Sequence, residues 1–352
     1  MTAPTLSPDM PLSEIEAWLR EDDPERLAEL WHAADETRRQ YVGDEVHVRG
    51  LLEVSNHCAR SCTYCGLRAE NAALPRYRLS AEEILDGARL TASLGWGTVV
   101  MQAGEDYAIT REWMADVIRA IKRETPLAVT LSLGERPRED FAAWRDAGAD
   151  RYLLRFETSD PELYALIHPP LRPGEPNRIE RLRWLQDLGY EAGGGVMIGI
   201  PGQSCATLAR DIDLFREMDM DMVGVGPYIP NPDAPLGCGE LEPLPTPDQV
   251  PADETMACKV VALTRIIRPD ANLPSTTALA TINKEKGRQL GLERGANIIM
   301  PNVTPPQYRE MYRIYPGKSG YRETAEATAG NLREFLASIG RRVGEGQGGR
   351  GE

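Results

Sequence analysis

Cys58, Cys62 and Cys65 fall within eight positions, spaced C-x-x-x-C-x-x-C directly after an apolar run. Thiolates hold iron–sulfur clusters, and a loop this tight brings three sulfurs onto three corners of a cubane. The fourth iron is then left without a protein ligand, open to a small chelating molecule that can take an electron from the cluster. The spacing therefore predicts a [4Fe-4S] cluster with one differentiated iron. A structural zinc would need a fourth Cys or His ligand. His57 adjoins Cys58, where its ring would point away from a common centre. Cys205, Cys238 and Cys258 are scattered and read as inert thiols, and six cysteines in 352 residues are too sparse for a disulfide scaffold.

Other groups able to do chemistry sit where apolar runs end. One run closes in Gln102-Ala-Gly-Glu105-Asp106, another carries Thr130 and Ser132 before Gly134-Glu135, and a third ends Arg155-Phe-Glu157-Thr158. Arg155 and Glu157, two residues apart, share one side of a strand and suit a zwitterion: the carboxylate takes a cation while the guanidinium clamps a carboxylate. The alternative is an ordinary ion pair inside the fold. Gly193-Gly-Gly-Val-Met197 has glycines where backbone must approach a ligand or a neighbouring strand. Thr276-Thr277 offers two hydroxyls to an anionic ligand, or is simply a good strand former. Tyr64, beside Cys65, either lies against a bound base or packs on a rim. Tyr312 and Tyr315 have the spacing of a helix face packed on the core.

These groups need a scaffold, and the hydrophobic periodicity supplies one. Apolar β-branched runs at 46–55, 98–103, 128–133, 151–156, 193–198, 222–225, 273–276 and 297–300 alternate with amphipathic helical patterns. Ser80 with Glu83 reads as a capping box opening one of the helices. Alternation implies a parallel sheet, and eight strand–helix units match the size of a TIM-type (β/α)8 barrel, whose active site lies at the strands' C-terminal ends. The expected class is α/β, with 1–45 an N-terminal helical cap over the barrel bottom, 46–318 the barrel, 319–343 a C-terminal helix and 344–352 a disordered, glycine-rich tail.

Composition narrows the partners. The net charge is −14, with no assembled Lys/Arg cluster, which disfavours nucleic acid. No run of 18 apolar residues can span a bilayer, and the N-terminus lacks the basic start and apolar stretch of a secretory signal. A cytoplasmic protein, bound to neither membrane nor nucleic acid, is expected.

Together these motifs resemble the radical S-adenosylmethionine (SAM) enzymes, in which SAM chelates the open iron and an electron cleaves it to a 5′-deoxyadenosyl radical. Within that class the chain resembles the HydE-type maturases of [FeFe]-hydrogenase. The likeness rests on Tyr41-Val-Gly-Asp-Glu-Val, Cys65-Gly-Leu-Arg68, Arg76-Tyr-Arg78, Thr130-Leu-Ser-Leu-Gly-Glu135, Ala149-Asp-Arg-Tyr-Leu-Leu-Arg155, Met222-Val-Gly-Val-Gly-Pro227, Thr276-Thr277 and Tyr315-Pro-Gly-Lys318. The resemblance implies a closed barrel with an internal cavity. It also implies that Glu157 and Arg178 hold SAM, with Tyr64, Gln102 and Met197 assigned beside them, and that Arg155, Thr130, Thr276, Thr277, Tyr312 and Tyr315 surround the substrate. That substrate would be a cysteine-bound iron carbonyl cyanide complex. The companion maturases would be a tyrosine lyase and a scaffold GTPase, and a low-potential electron donor would supply the electron.

Three features depart from the pattern. No cysteine follows Lys318, so an accessory cluster is not expected. Ala103 stands where relatives can have a Ser, and Phe156 where they can have a His, which could alter substrate contacts. The competing readings are a radical SAM enzyme with another small, amino-acid-derived substrate, such as a methylornithine synthase-like mutase, and a non-catalytic metal or iron–sulfur module. Biotin synthase fits less well, because the scattered cysteines do not visibly provide a second cluster.

Overall fold

The computed structural model describes residues 6–320 and 324–351. After α1 (Leu12–Arg20) and α2 (Pro24–Val42), β1 (Glu45–Ser55) leads through the cysteine loop to α3 (Ala81–Ser93) and β2 (Thr98–Ala103). Then come α4 (Arg111–Glu124), β3 (Ala128–Ser132), α5 (Arg138–Asp146), β4 (Arg151–Leu153), α6 (Pro161–Ile167), α7 (Arg178–Asp187), β5 (Glu191–Gly194) and β6 (Met197–Ile198). The second half contributes α8 (Cys205–Glu217), β7 (Met222–Val223), β8 (Gly226–Pro227), α9 (Pro235–Cys238), α10 (Glu254–Ile267), α11 (Thr277–Ile282), α12 (Gly287–Glu293) and β9 (Ile298–Ile299). The chain ends with α13 (Pro306–Arg309), α14 (Ala325–Ser338) and β10 (Arg342–Val343).

In β1, Val46, Val48, Leu52 and Val54 join the hydrophobic core under the helices. Their alternates turn inward: Arg49 reaches Met222 Sδ and Gly348 O, and Glu53 meets Asn302. The strands β1-β2-β3-β4-β5-β7 pair in parallel, and β9 pairs with β1. Single bridges Met222↔Asn272 and Pro274↔Ile298 carry the ring between β7 and β9. The eight-unit TIM-type barrel expected from the sequence is therefore present. Its seventh member is reduced to bridges because Pro274 cannot donate to a ladder. The run expected as one strand over 193–198 is split into β5 and β6, since Glu157 bridges to Val196 and Gly195 sits where a Cβ would be 2.1 Å from Gly224 O.

Two expectations need correction. The N-terminal helices do not cover the barrel bottom: α1 packs on α8 and α2 on α10, at the barrel's side. The bottom is closed instead by the segment expected to be disordered. Beyond β10, which pairs with the start of β1, Gln347 O accepts from Thr98 Oγ1, and Gly348 O accepts from Arg49 and Asn272. Arg350 pairs with Asp219, Asp221 and Asp270. Glycine content reads as flexibility, but here it lets the chain lie flat: a Cβ on Gly97 would stand 1.6 Å from Gly346 O. Gly97→Ala and deletion of 344–352 are each expected to cost about 1–2 kcal/mol, roughly 2–6 °C in Tm. Thermal melting of both single changes and the combination checks this; the combination should cost no more than the deletion alone.

Candidate functional site

The cysteine loop is tied down at every turn. Ala59 N donates to Glu105 O (3.0 Å), Thr63 N to Ile167 O (3.0 Å), Gly66 N to Ile314 O (3.0 Å), and Leu236 N to Thr63 O (2.9 Å). The loop thus lies against β2's end, α6, α9 and the 311–318 segment. Cys62 is buried, Cys58 and Cys65 half-buried, and none of the three is in a disulfide. All three line the wall of one cavity of about 220 Å³.

The sulfurs fit an iron–sulfur cluster. Backbone N–H groups are aimed at two of them: Glu105 N is 3.4 Å from Cys58 Sγ, and the Leu67 amide serves Cys65. Burial pushes all three thiols up, Cys65 to about 12, and each of Cys62 and Cys65 is raised further by its neighbours. Three such thiols ionise together only against a strongly positive centre, and bound metal supplies one.

Glu157 faces this trio. It is one of two non-glycine residues with positive φ among the described residues, at +64°, a conformation that costs about 1–3 kcal/mol and gathers at functional sites. The turn is held from both sides: Glu157 N donates to Gly195 O, and Met197 N to Glu157 O. Asp211 of α8, whose pKa burial pushes up to about 7, accepts from Ser159 N and Oγ and fixes the next residues. The Glu157 carboxylate consequently meets Arg155 Nη2 at 2.9 Å, Tyr64 OH at 3.4 Å and Arg178 Nη1 at 3.9 Å. Arg155 and Glu157 thus pair with each other, the alternative that the sequence left open, and they do so through this turn rather than by strand alternation. An Asn177–Glu180 capping box starts α7 at Arg178, whose guanidinium also reaches Glu135 (2.9 Å) and Arg155 O (2.7 Å).

Behind the loop lies a collar of buried charge. Arg60, between Cys58 and Cys62 in the chain, pairs with Glu105 and Glu135, both at 2.6 Å. Arg181 adds a further contact to Glu135 at 2.9 Å. Burial alone would raise both carboxyls. Glu105 is indeed raised, whereas His168, Arg178 and Arg60 hold Glu135 well below the usual range. Glu105, Glu135 and His168 bring three potential metal-binding atoms together, but Arg60, Arg178 and Arg181 already occupy them, so the group is an ion-pair network.

Of the residues singled out from sequence, Tyr64, Gln102, Arg155, Glu157, Arg178, Met197, Tyr312 and Tyr315 line the cavity with the cysteines. Tyr312 and Tyr315 lie in a segment with no helix, so the helix-face reading fails for them. Tyr312 is buried and carries Lys318 Nζ 5.0 Å above its ring. Thr130 is buried deeper on β3, its hydroxyl lacking a hydrogen-bond partner among the described residues. Thr276 and Thr277 are elsewhere: they open α11, and they line a second cavity with Leu51, Arg288, Asn302 and Lys318. Phe156 points into the core against Phe215 and is not among the residues lining the cavity, whereas Ala103 does line it. Sequence reasoning left out Arg60, Glu135 and His168 as site residues. Glu135 was visible at a strand end and Arg60 inside the cysteine loop, whereas nothing in the sequence singled out His168.

Similarity to known proteins agrees with this geometry. Residues 52–215 match the Radical SAM superfamily. The chain is 46% identical over 323 residues to the [FeFe] hydrogenase maturase subunit HydE of Thermotoga maritima, covering 91% of this chain and 88% of that one. It is 26% identical to 3-methylornithine synthase of Methanosarcina acetivorans over 81% of this chain and 77% of that one. Among solved structures, methylornithine synthase superposes with a TM-score of 0.79 at 22% identity, covering 95% and 94% of the two chains. The FeFe-hydrogenase maturase HydG of Carboxydothermus hydrogenoformans does so with 0.75 at 21% identity, over 94% and 75%; at such identities both speak to the fold alone. The sulfur trio, the cavity at the strands' C-terminal ends and the near-full-length match place this chain in the HydE family of [FeFe]-hydrogenase maturases, within the radical SAM superfamily.

Proposed function

We propose that the chain acts on a small, cysteine-bound iron carbonyl cyanide complex during assembly of the hydrogenase's binuclear iron site. The observation that carries the reading is the convergence of three unpaired sulfurs, a strained carboxylate and a guanidinium on one cavity. Cys58, Cys62 and Cys65 would hold a [4Fe-4S] cluster, and the cluster with SAM supplies a 5′-deoxyadenosyl radical on one-electron reduction.

The protein's own groups do the rest. Glu157 takes the positive end of SAM, with Tyr64 and Arg178 fixing its carboxylate. Gln102 and Met197 complete the cofactor's wall. Arg155 remains directed at an anionic group beside Glu157, where a charge-assisted contact is strongest. Tyr312 and Tyr315 close the far wall and keep water from a reactive intermediate. Thr130, Thr276 and Thr277 contribute hydroxyls deeper in the barrel and in the adjoining cavity. The electron comes from a low-potential donor, the substrate from a tyrosine lyase, and the product passes to a scaffold GTPase.

Complementation tests this directly. In a maturation system lacking only its HydE-type component, this chain should restore hydrogenase activity. Intact cluster and SAM cleavage without restoration would assign a different substrate, an amino acid rearranged as the methylornithine synthase likeness would have it. Absence of SAM cleavage altogether would leave a binding module.

A further inference from the structure

Cys58 faces two ways. Besides the inner cavity that it shares with Cys62 and Cys65, it lines an outward recess with His57, Arg76, Asp106 and Tyr107. Tyr107 also borders a larger groove of about 760 Å³, set between the starts of α4 and α5 and the 171–176 loop, so the two openings adjoin. Of the five large apolar side chains exposed among the described residues, two stand on this groove, Tyr107 at 48% and Leu171 at 39%. The charge of the face is unlike that of the whole chain, which carries −14. Glu105 and Glu135 are tied to Arg60, Asp106 to Arg78, Asp140 to Arg111, and Glu175 to Arg60 and Arg181. Glu112 is the one carboxylate lining the two openings that makes no ion pair among the described residues. Against it stand Arg76, Arg136 and Arg172, none of which meets a carboxylate among the described residues. Arg76 donates to the carbonyls of Asn56, Leu67, Arg68 and Asn71. Arg136 donates to Asp106 O and lies 5.2 Å over the Tyr107 ring, and Arg172 is exposed on the loop.

We propose that this face, from the Cys58 recess across the groove bordered by Tyr107 and Leu171, is where the electron donor docks, and that the donor is a small acidic protein with a low-potential one-electron centre. The proposal rests on the cluster assignment above. An acidic partner is repelled by the chain as a whole and steered to a face whose uncommitted charge is positive. Tyrosine, tryptophan and arginine are the side chains that carry most binding energy at protein interfaces, and Tyr107, Trp184, Arg136 and Arg172 all line the groove. Redox encounters use small faces, so a groove with two exposed apolar residues at its edge is enough. In the docked pair the donor's centre is oxidised by one electron and the cluster is reduced by one, with no bond made or broken in this chain. Cys58 is the sulfur nearest that partner, because it alone of the three lines the outward recess among the described residues.

The test sets the full, reconstituted chain against two acidic carriers, a flavodoxin and a plant-type ferredoxin, by equilibrium binding and by stopped-flow reduction of the cluster without SAM. Wild type is compared with Arg172→Glu, Leu171→Asp, the double variant and Arg342→Glu, the last on an exposed side chain of β10 at the far end of the barrel. At low salt Arg172→Glu and Leu171→Asp should each weaken carrier binding about 10-fold, with the reduction rate falling alongside. The Arg172→Glu effect should shrink as salt rises, and Arg342→Glu should match wild type. Dithionite needs no docking and should reduce every variant and drive SAM cleavage equally, which separates docking from folding. If a variant fails that check, Arg172→Gln decides, and wild-type binding there at low salt would overturn the proposal. Wild-type binding and reduction in the double variant would overturn it too, as would binding of neither carrier to wild-type protein that dithionite reduces. Loss of hydrogenase maturation with carrier binding intact would give the groove to another protein and equally overturn it. Failure of dithionite to yield SAM cleavage in wild type would instead strike the radical reading, while the binding measurements still judge the docking face.

Discussion

Cys62→Ser is expected to abolish reductive SAM cleavage. The cavity offers three sulfurs and no fourth cysteine, so loss of one leaves two protein ligands for a cubane that needs three. Mutating partners that merely orient a metal ligand costs about 10–100-fold, and removal of a ligand must exceed that. Cys62 is also the most deeply placed of the three, which denies water easy access as a replacement. After anaerobic reconstitution, iron content and 5′-deoxyadenosine formed under dithionite should fall together in Cys62→Ser, and likewise in Cys58→Ser and Cys65→Ser. Cys238→Ser, on an exposed thiol outside the cavity, should behave as wild type. Unchanged turnover in Cys62→Ser would remove the basis of the radical assignment.

The second large effect is expected at Glu157. Its carboxylate is buried against two guanidiniums and a tyrosine hydroxyl, and a charge-assisted hydrogen bond contributes about 1.5–3 kcal/mol. Glu157→Gln keeps the shape and loses the charge, so SAM affinity should fall about 10- to 100-fold, measured by equilibrium binding to the reconstituted protein. The left-handed backbone separates this from a folding effect. At φ +64°, Glu157→Gly relieves the strain while removing the side chain, so it should bind SAM at least as poorly yet melt no lower than Glu157→Gln. Wild-type affinity in both variants would place SAM elsewhere.

How much of this was legible in the sequence follows from the range of the interactions involved. The barrel was readable because its strands and helices are local patterns: 98–103 and 254–267 carry their hydrophobic period on their own residues. The cysteine loop was readable because its ligands lie within eight positions of one another. What the sequence concealed depends on contacts between distant segments. The tail's order comes from Thr98, Arg49 and three aspartates, all at least 80 residues away and none of them visible as a partner of a glycine run; its own composition says only that it bends easily. α6 is seven residues long, too short for periodicity, and hiding it hid His168. Thr276 and Thr277 misled because β-branched residues after an apolar run read as a strand, while the hydroxyl of Thr276 instead caps a helix. Glu157 was found as a residue, but its turned backbone was not, since only the surrounding Gly195 and Met197 amides and carbonyls enforce it.

The most direct test is the hyperfine coupling between the reduced cluster and SAM labelled with nitrogen-15 at the amino group and oxygen-17 at the carboxylate. If three thiolates leave one iron open, both labels should couple to the cluster in wild-type protein, and the coupling should vanish when Cys62 is replaced. A reduced cluster that shows neither label, with its spectrum unchanged by SAM, would mean that a fourth ligand fills the open position, and the proposed chemistry could not take place there.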